Sequence, residues 1–226
     1  ELHLFVSDGF NIEMERPFQK EITKRFELIS ENGTTDLTKS LKDGEFPVLR
    51  MKVDFNGLGL IHTERDFAYI ELSNEDFLNY LKGDHVENIQ INDSTKTIQS
   101  ERYTRYIKTL VQSNPIPNDS LYKTQVGHTF EIVLQDNPYT MKVGQWMEVQ
   151  VFFEGQPLAN KTITARQRDG GDTPTFQYAR TDKNGFCKFK LDKKGDWFLH
   201  ATHMIPSRDK TESDWESFWT TFSFGM

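Results

Sequence analysis

The chain has 226 residues, 36% hydrophobic and 13% aromatic, enough to bury one large core or two modest ones. Its 34 acidic and 27 basic side chains leave a net charge of -7 with no stretch dense in Lys or Arg, which excludes a phosphate backbone as the natural partner. No apolar run approaches the ~18 residues that cross a bilayer as a helix, and with Cys187 as the single cysteine an internal disulfide is impossible.

Eighteen phenylalanines and few alanines favour pleated, half-buried surfaces over helices. From Leu2 to Leu72 the apolar residues recur with period two, at Leu2, Leu4 and Val6, at Met51, Val53 and Phe55, and at Ala68, Ile70 and Leu72. Gly33, Gly44 and Gly57 punctuate these runs as turns, and the polar segment Asp36 to Asp43 fits either a loop or a brief helical turn. One helix is marked over about 73–83. Ser73 stands three residues before Asp76 as a capping box, Phe77, Leu78 and Leu81 share a face, and Gly83 sits where a left-handed residue ends a helix. The run Glu101 to Gln112 satisfies helical spacing through Tyr103, Tyr106, Ile107 and Leu110. It also satisfies a strand, and its β-branched and aromatic content, ended by Asn114-Pro115-Ile116-Pro117-Asn118, favours the strand.

Beyond Gly127 seven strands follow at short intervals: Thr129–Leu134, Trp146–Phe153, Thr162–Arg166, Thr175–Arg180, Gly185–Leu191, Trp197–His203 and Phe218–Phe224. The clusters Gly155-Gln156-Pro157, Asp182-Lys183-Asn184-Gly185 and Gly195-Asp196 turn between them. Cys187 shares a strand face with Phe189 and reads as a small buried hydrophobe. The pattern predicts a mainly β chain of two β-sandwich domains. Residues 1–126 form an N-terminal β domain with one helix, and residues 127–226 a seven-stranded sandwich of the immunoglobulin or transthyretin kind.

Four stretches carry a family resemblance: Ile70-Glu71-Leu72 running into Asp76-Phe77-Leu78-Asn79-Tyr80-Leu81; Glu101-Arg102-Tyr103-Thr104-Arg105-Tyr106-Ile107-Lys108; Glu131-Ile132 with Asn137-Pro138-Tyr139 and Gly144; and His203-Met204 with Asp214-Trp215-Glu216-Ser217. In order and spacing they resemble a bacterial exported family of unknown function, often described as periplasmic components of cobalt or nickel transport. The resemblance implies a periplasmic or cell-envelope protein with its leader removed, working beside a membrane transporter component, with a divalent Ni or Co ion as its cofactor or cargo. It implies no established activity.

Two metal constellations agree with it. A free amine at Glu1, two deprotonated amides and the His3 imidazole would donate four nitrogens in one plane, a geometry suited to Cu(II) or Ni(II); otherwise His3 is an ordinary strand residue. His200 and His203, three apart on one strand, face opposite sides, so only one of them can serve a given ion. His203 opens a charged loop carrying Asp209, Glu212 and Asp214. With Glu216 and Glu101 it falls on the family's motif positions, as a metal-holding cluster or as an architectural one with Arg102 or Arg105 pairing the acids. His62 and Glu64 lie on one strand face from which both could ligate an ion, but the neighbouring Arg65 and Asp66 read more plainly as a solvated turn; His85 reads as facing water beyond the helix, and His128 as the start of a strand.

No Gly-x-Ser-x-Gly elbow, phosphate loop or His-Glu-x-x-His is present, so no enzyme class is indicated. The expectation is an exported binding protein of nickel or cobalt handling. The alternative is a carbohydrate- or protein-binding module without metal, in which Trp215 and Trp219 make the contact.

Overall fold

The computed structural model describes residues 1–8, 10–91, 96–170 and 173–226. In chain order its elements are β1 (Leu4–Asp8), β2 (Asn11–Arg16), β3 (Thr23–Ser30), β4 (Gly33–Asp36), β5 (Leu58–Arg65), β6 (Ala68–Ser73), α1 (Asn74–Gly83), β7 (Ile98–Gln112), β8 (Phe130–Leu134), β9 (Trp146–Phe153), β10 (Gln156–Pro157), β11 (Thr162–Arg168), β12 (Thr175–Arg180), β13 (Phe186–Lys190), β14 (Asp196–Pro206) and β15 (Trp215–Gly225). Among the described residues the strands form a nine-stranded sheet, a four-stranded sheet and the two-stranded hairpin β1–β2. The fold is mainly β and packs as a sandwich.

The large sheet runs β12-β11-β14-β15-β7-β5-β3-β4. Strand β7 does double duty along one edge, pairing with β6 over its first residues and with β5 from Tyr106 to Gln112. Its other edge pairs with β15 in parallel, Trp215 beside Glu101 through Phe224 beside Leu110. That pairing carries the sheet across the expected division at 126/127. Inward-facing Leu60, Leu110, Leu199 and Phe222 then share one core with Ile132, Val149, Val151 and Phe189 of the β8, β9 and β13 layer. Each such side chain, withdrawn from water, contributes about 1.5–3 kcal/mol. Cys187 lies in this core, and burial pushes its thiol up to about 12, as expected of an inert hydrophobe.

The helix forms where its cap places it. Ser73 Oγ accepts from the Asp76 amide at 3.1 Å and donates to the Asp76 carboxylate at 2.7 Å. Phe77 and Leu81 bury against Met204 and Trp215 on the outer face of the large sheet. The left-handed residue after the helix is His85 (φ 53°) rather than Gly83, because the Asp84 and Val86 amides still reach back to Tyr80 and Leu81. A further difference concerns Met51 to Phe55, which is not a strand: no neighbour completes a ladder there, and Phe55 turns into a small cluster with Phe18, Phe26 and Leu49. Asp36–Asp43 holds a short 3-10 turn, Thr38–Ser40. No helix among the described residues is long and apolar enough to cross a membrane.

Candidate functional site

Because β15 alternates Phe218, Phe222 and Phe224 inward, it turns Trp219, Thr221 and Ser223 outward. The outer face they belong to is covered by α1 at one end and by the Phe18–Phe55 cluster beyond β5. Between these lies a groove of about 900 Å³, bordered by the hairpin β1–β2. The strand registers tile its floor in rows: Arg166, Phe198, Ser223, Thr109 and Ile61; then His200, Thr221, Ile107 and Thr63; then Trp219 and Arg105, beside the buried Thr202. Several of these groups are already oriented. Thr109 and Ser223 share a hydrogen bond of 2.8 Å, Thr202 donates to Asp84 at 3.2 Å, and His200 Nε2 stands 3.8 Å from the same carboxylate. Phe10, at the hairpin tip, meets the Phe198 ring edge-on at 6.4 Å and lies under the Arg168 guanidinium at 4.7 Å.

Cationic groups gather at one side of the groove. Glu64 pairs with Tyr106 across antiparallel strands, so continuing the register sets Arg65 beside Arg105 on the outer face. Arg105 rests on Tyr103 at 4.8 Å and on Trp219 at 5.4 Å, while Arg65 donates to Gln19 Oε1 at 2.7 Å. Arg16 enters from β2. Burial first, then the charges of Arg105 and Arg16, hold Arg65 below the ordinary guanidinium value against the opposing pull of Tyr103.

A second cleft, of about 890 Å³, opens between the two sheets beside β8. Its rim charges are matched: Arg208 with Glu154, Arg102 with Glu212, and Lys24 with Asp66 at 3.0 Å. Beneath it Lys108 Nζ lies 2.8 Å from Glu131 Oε1, with 1% and 2% of the two side chains exposed. Glu131 also accepts from the amides of Val126 at 2.7 Å and Gly127 at 3.2 Å. Next to this pair the His128 ring sits 5.1 Å from Tyr106 and 5.3 Å from His62. Among the described residues neither imidazole has a hydrogen-bond partner for its ring nitrogens, although His62 Nε2 comes within 3.2 Å of Glu27. Burial, reinforced by Arg25 and Lys108, holds His62 down to about 4; burial, with Lys108, His62 and Arg25, holds His128 to about 2.

Residues 1–205 match the family model described as Domain of unknown function (DUF4198). The chain belongs to that family. No curated protein and no solved structure matches it. The matched DUF4198 span holds the hairpin, α1 and all the groove arginines, and it stops within β14, so Trp219, Thr221 and Ser223 of the floor lie beyond it.

Within this DUF4198 fold the residues expected to hold a metal are spread over separate surroundings. Glu101 and Glu216 lie on paired strands, but Glu101 is beside Trp215 and Glu216 beside Arg102, so the one-residue offset turns their carboxylates to opposite faces. Glu101 accepts from Tyr80 at 3.1 Å and from Ser217, and burial pushes its carboxyl up. Glu216 accepts from the Arg208 amide at 3.2 Å. His203 shares the inner face with Glu216, but its ring packs on Phe153 at 4.4 Å and Phe130 at 5.8 Å, and burial holds it down to about 4. His3 is elsewhere, at the groove, 2.8 Å from Glu15 and 3.8 Å from Glu1. Among the described residues no group of three or more His, Cys, Asp or Glu is arranged to hold an ion. Of the two tryptophans, Trp219 lines the groove, with Tyr80 stacked on it at 5.5 Å, whereas Trp215 is packed against Phe77 at 5.9 Å. From sequence Arg105 stood only as a partner for Glu101 or Glu216, with which it forms no ion pair among the described residues; its grouping with Arg16 and Arg65, and the His62–His128 pair, were not foreseen. The alternation Tyr103, Arg105, Ile107, Thr109 was the available signal for the first; the second joins strands with no local link.

Proposed function

We propose that this DUF4198 chain is an exported, non-catalytic binding protein that takes a saccharide in the outer groove. The observation that carries the reading is the groove floor itself. Hydroxyls of Thr221, Thr109 and Ser223, the His200 imidazole and the Arg105 guanidinium are fixed on strands, interleaved with the rings of Trp219 and Phe198. A sugar offers apolar ring faces and a fringe of hydroxyls, and an interleaved lining of this kind answers both while losing little side-chain freedom on binding. Calorimetric titration across an oligosaccharide panel tests it. Binding lost in Trp219→Ala and His200→Ala, with circular dichroism unchanged, supports the reading. A panel that gives no heat, or binding indifferent to both substitutions, overturns it.

Nickel or cobalt handling beside a membrane transporter is the second reading, supported by the family resemblance and by His3 standing near two carboxylates. His203, Glu216 and Glu101 do not fit a common ion, since they point into different environments. Titration with nickel and copper, and its loss in His3→Ala, tests what is left of it.

A further inference from the structure

We propose that the groove selects acidic saccharides, whose carboxylate or sulfate docks on the guanidinium cluster of Arg16, Arg65 and Arg105. The inference rests on the saccharide reading and names the class within it. Two observations lead to it independently of each other.

The first is the placement of like charges. Arg65 and Arg105 are cross-strand neighbours on one face, a pairing that disfavours the fold unless something offsets it, and Arg16 brings a third positive charge from the hairpin. A chain with 34 acidic residues has ample means to neutralise them, yet no ion pair joins any of the three to a carboxylate among the described residues. The nearest acid on the same strand face, Glu101, feels the Arg105 charge but spends its hydrogen bonds on Tyr80 and Ser217 and forms no ion pair with the guanidinium. Asp84 is engaged by Thr202, and Glu13 borders the groove from the hairpin.

The second is preorganisation. Arg105 is seated on the rings of Tyr103 and Trp219, and Arg65 is tied to the neutral amide of Gln19. These partners fix direction without cancelling charge, and leave guanidinium N–H groups to receive an oxyanion in the two-pronged manner that suits carboxylate and sulfate. The cluster adjoins Trp219 and the row of Thr221 and His200, so an acid borne on a sugar ring reaches the arginines while the ring lies over the floor.

The test is a titration with a uronate trisaccharide, its neutral methyl ester and a sulfated trisaccharide of the same size. The uronate or the sulfated sugar binds at least about tenfold tighter than the ester, and its affinity falls as salt is raised. Arg65→Gln and Arg105→Gln each remove about tenfold or more of that affinity and leave the ester unchanged. Arg16→Gln, at an exposed position on the hairpin, gives the same direction without touching the sheet. Which of the two acids wins identifies the oxyanion. Equal affinity for acid and ester, or acid binding untouched by all three substitutions, overturns this inference and leaves a groove for neutral sugars. Binding of citrate but of no saccharide, lost in the arginine variants, overturns the saccharide reading as well as the ligand class named here.

Discussion

Replacing His128 with Phe should flatten the dependence of stability on acidity. In an unfolded chain an imidazole takes up its proton near pH 6.5, whereas in the fold His62 resists down to about 4 and His128 to about 2. Between those values the unfolded chain binds more protons, so stability that is whole above pH 6.5 drains away as the pH falls. Each imidazole adds a slope of about 1.4 kcal/mol per pH unit, so each withdraws about 2 kcal/mol by pH 5. His128 and His62 are 3% and 1% exposed, so solvent screens little of this. Urea denaturation of the wild type and His128→Phe, from about pH 8 to about pH 5, reads the difference directly. The variant's curve should be shallower by about 1.4 kcal/mol per unit below pH 6.5, and the double variant with His62→Phe shallower by about 2.7. At neutral pH the single variant should be as stable as the wild type or more so, because it removes two buried ring nitrogens that lack partners. Parallel slopes for wild type and variant would refute the reasoning.

Glu131→Ala should cost about 3–5 kcal/mol in the same denaturation experiment, because it strands the Lys108 ammonium in the core, while Lys108→Met should cost clearly less. Ser73→Ala, which deletes the cap on α1, should lower stability by about 1 kcal/mol and loosen Phe77 and Leu81 against Met204, read as faster amide exchange in residues 74–83. Gly195→Ala should destabilise by more than about 1 kcal/mol, since its φ of 123° suits glycine and a Cβ would come within 2.2 Å of the Arg168 carbonyl; thermal melting measures it.

Much of the architecture was written in local pattern. The seven C-terminal strands and the cap on α1 rest on alternation, turn residues and a three-residue spacing, all of which act within a few positions. The Ile98–Gln112 strand satisfied two periods at once, and the ladders on both its edges decided between them. What joins the halves had no such signature: β7 and β15 pair across more than a hundred residues, and nothing near either strand announces a parallel neighbour. The site suffered for the same reason. Glu101 and Glu216 do come to paired strands, but whether two carboxylates meet depends on a single step of register, which only the assembled sheet fixes. The arginines of the groove were individually ordinary, and their shared face follows from strand pairing rather than from spacing.

The insertion of β15 between β14 and β7 has a kinetic consequence. Every other strand of the large sheet precedes it in the chain, so until it arrives β14 and β7 each present a bare hydrogen-bonding edge with aromatic and aliphatic side chains beneath. A nascent chain therefore passes through a stage in which its two halves are separate and adhesive. Closing that gap brings Trp219 beside Arg105, so the final ladder to form is also the one that assembles the groove.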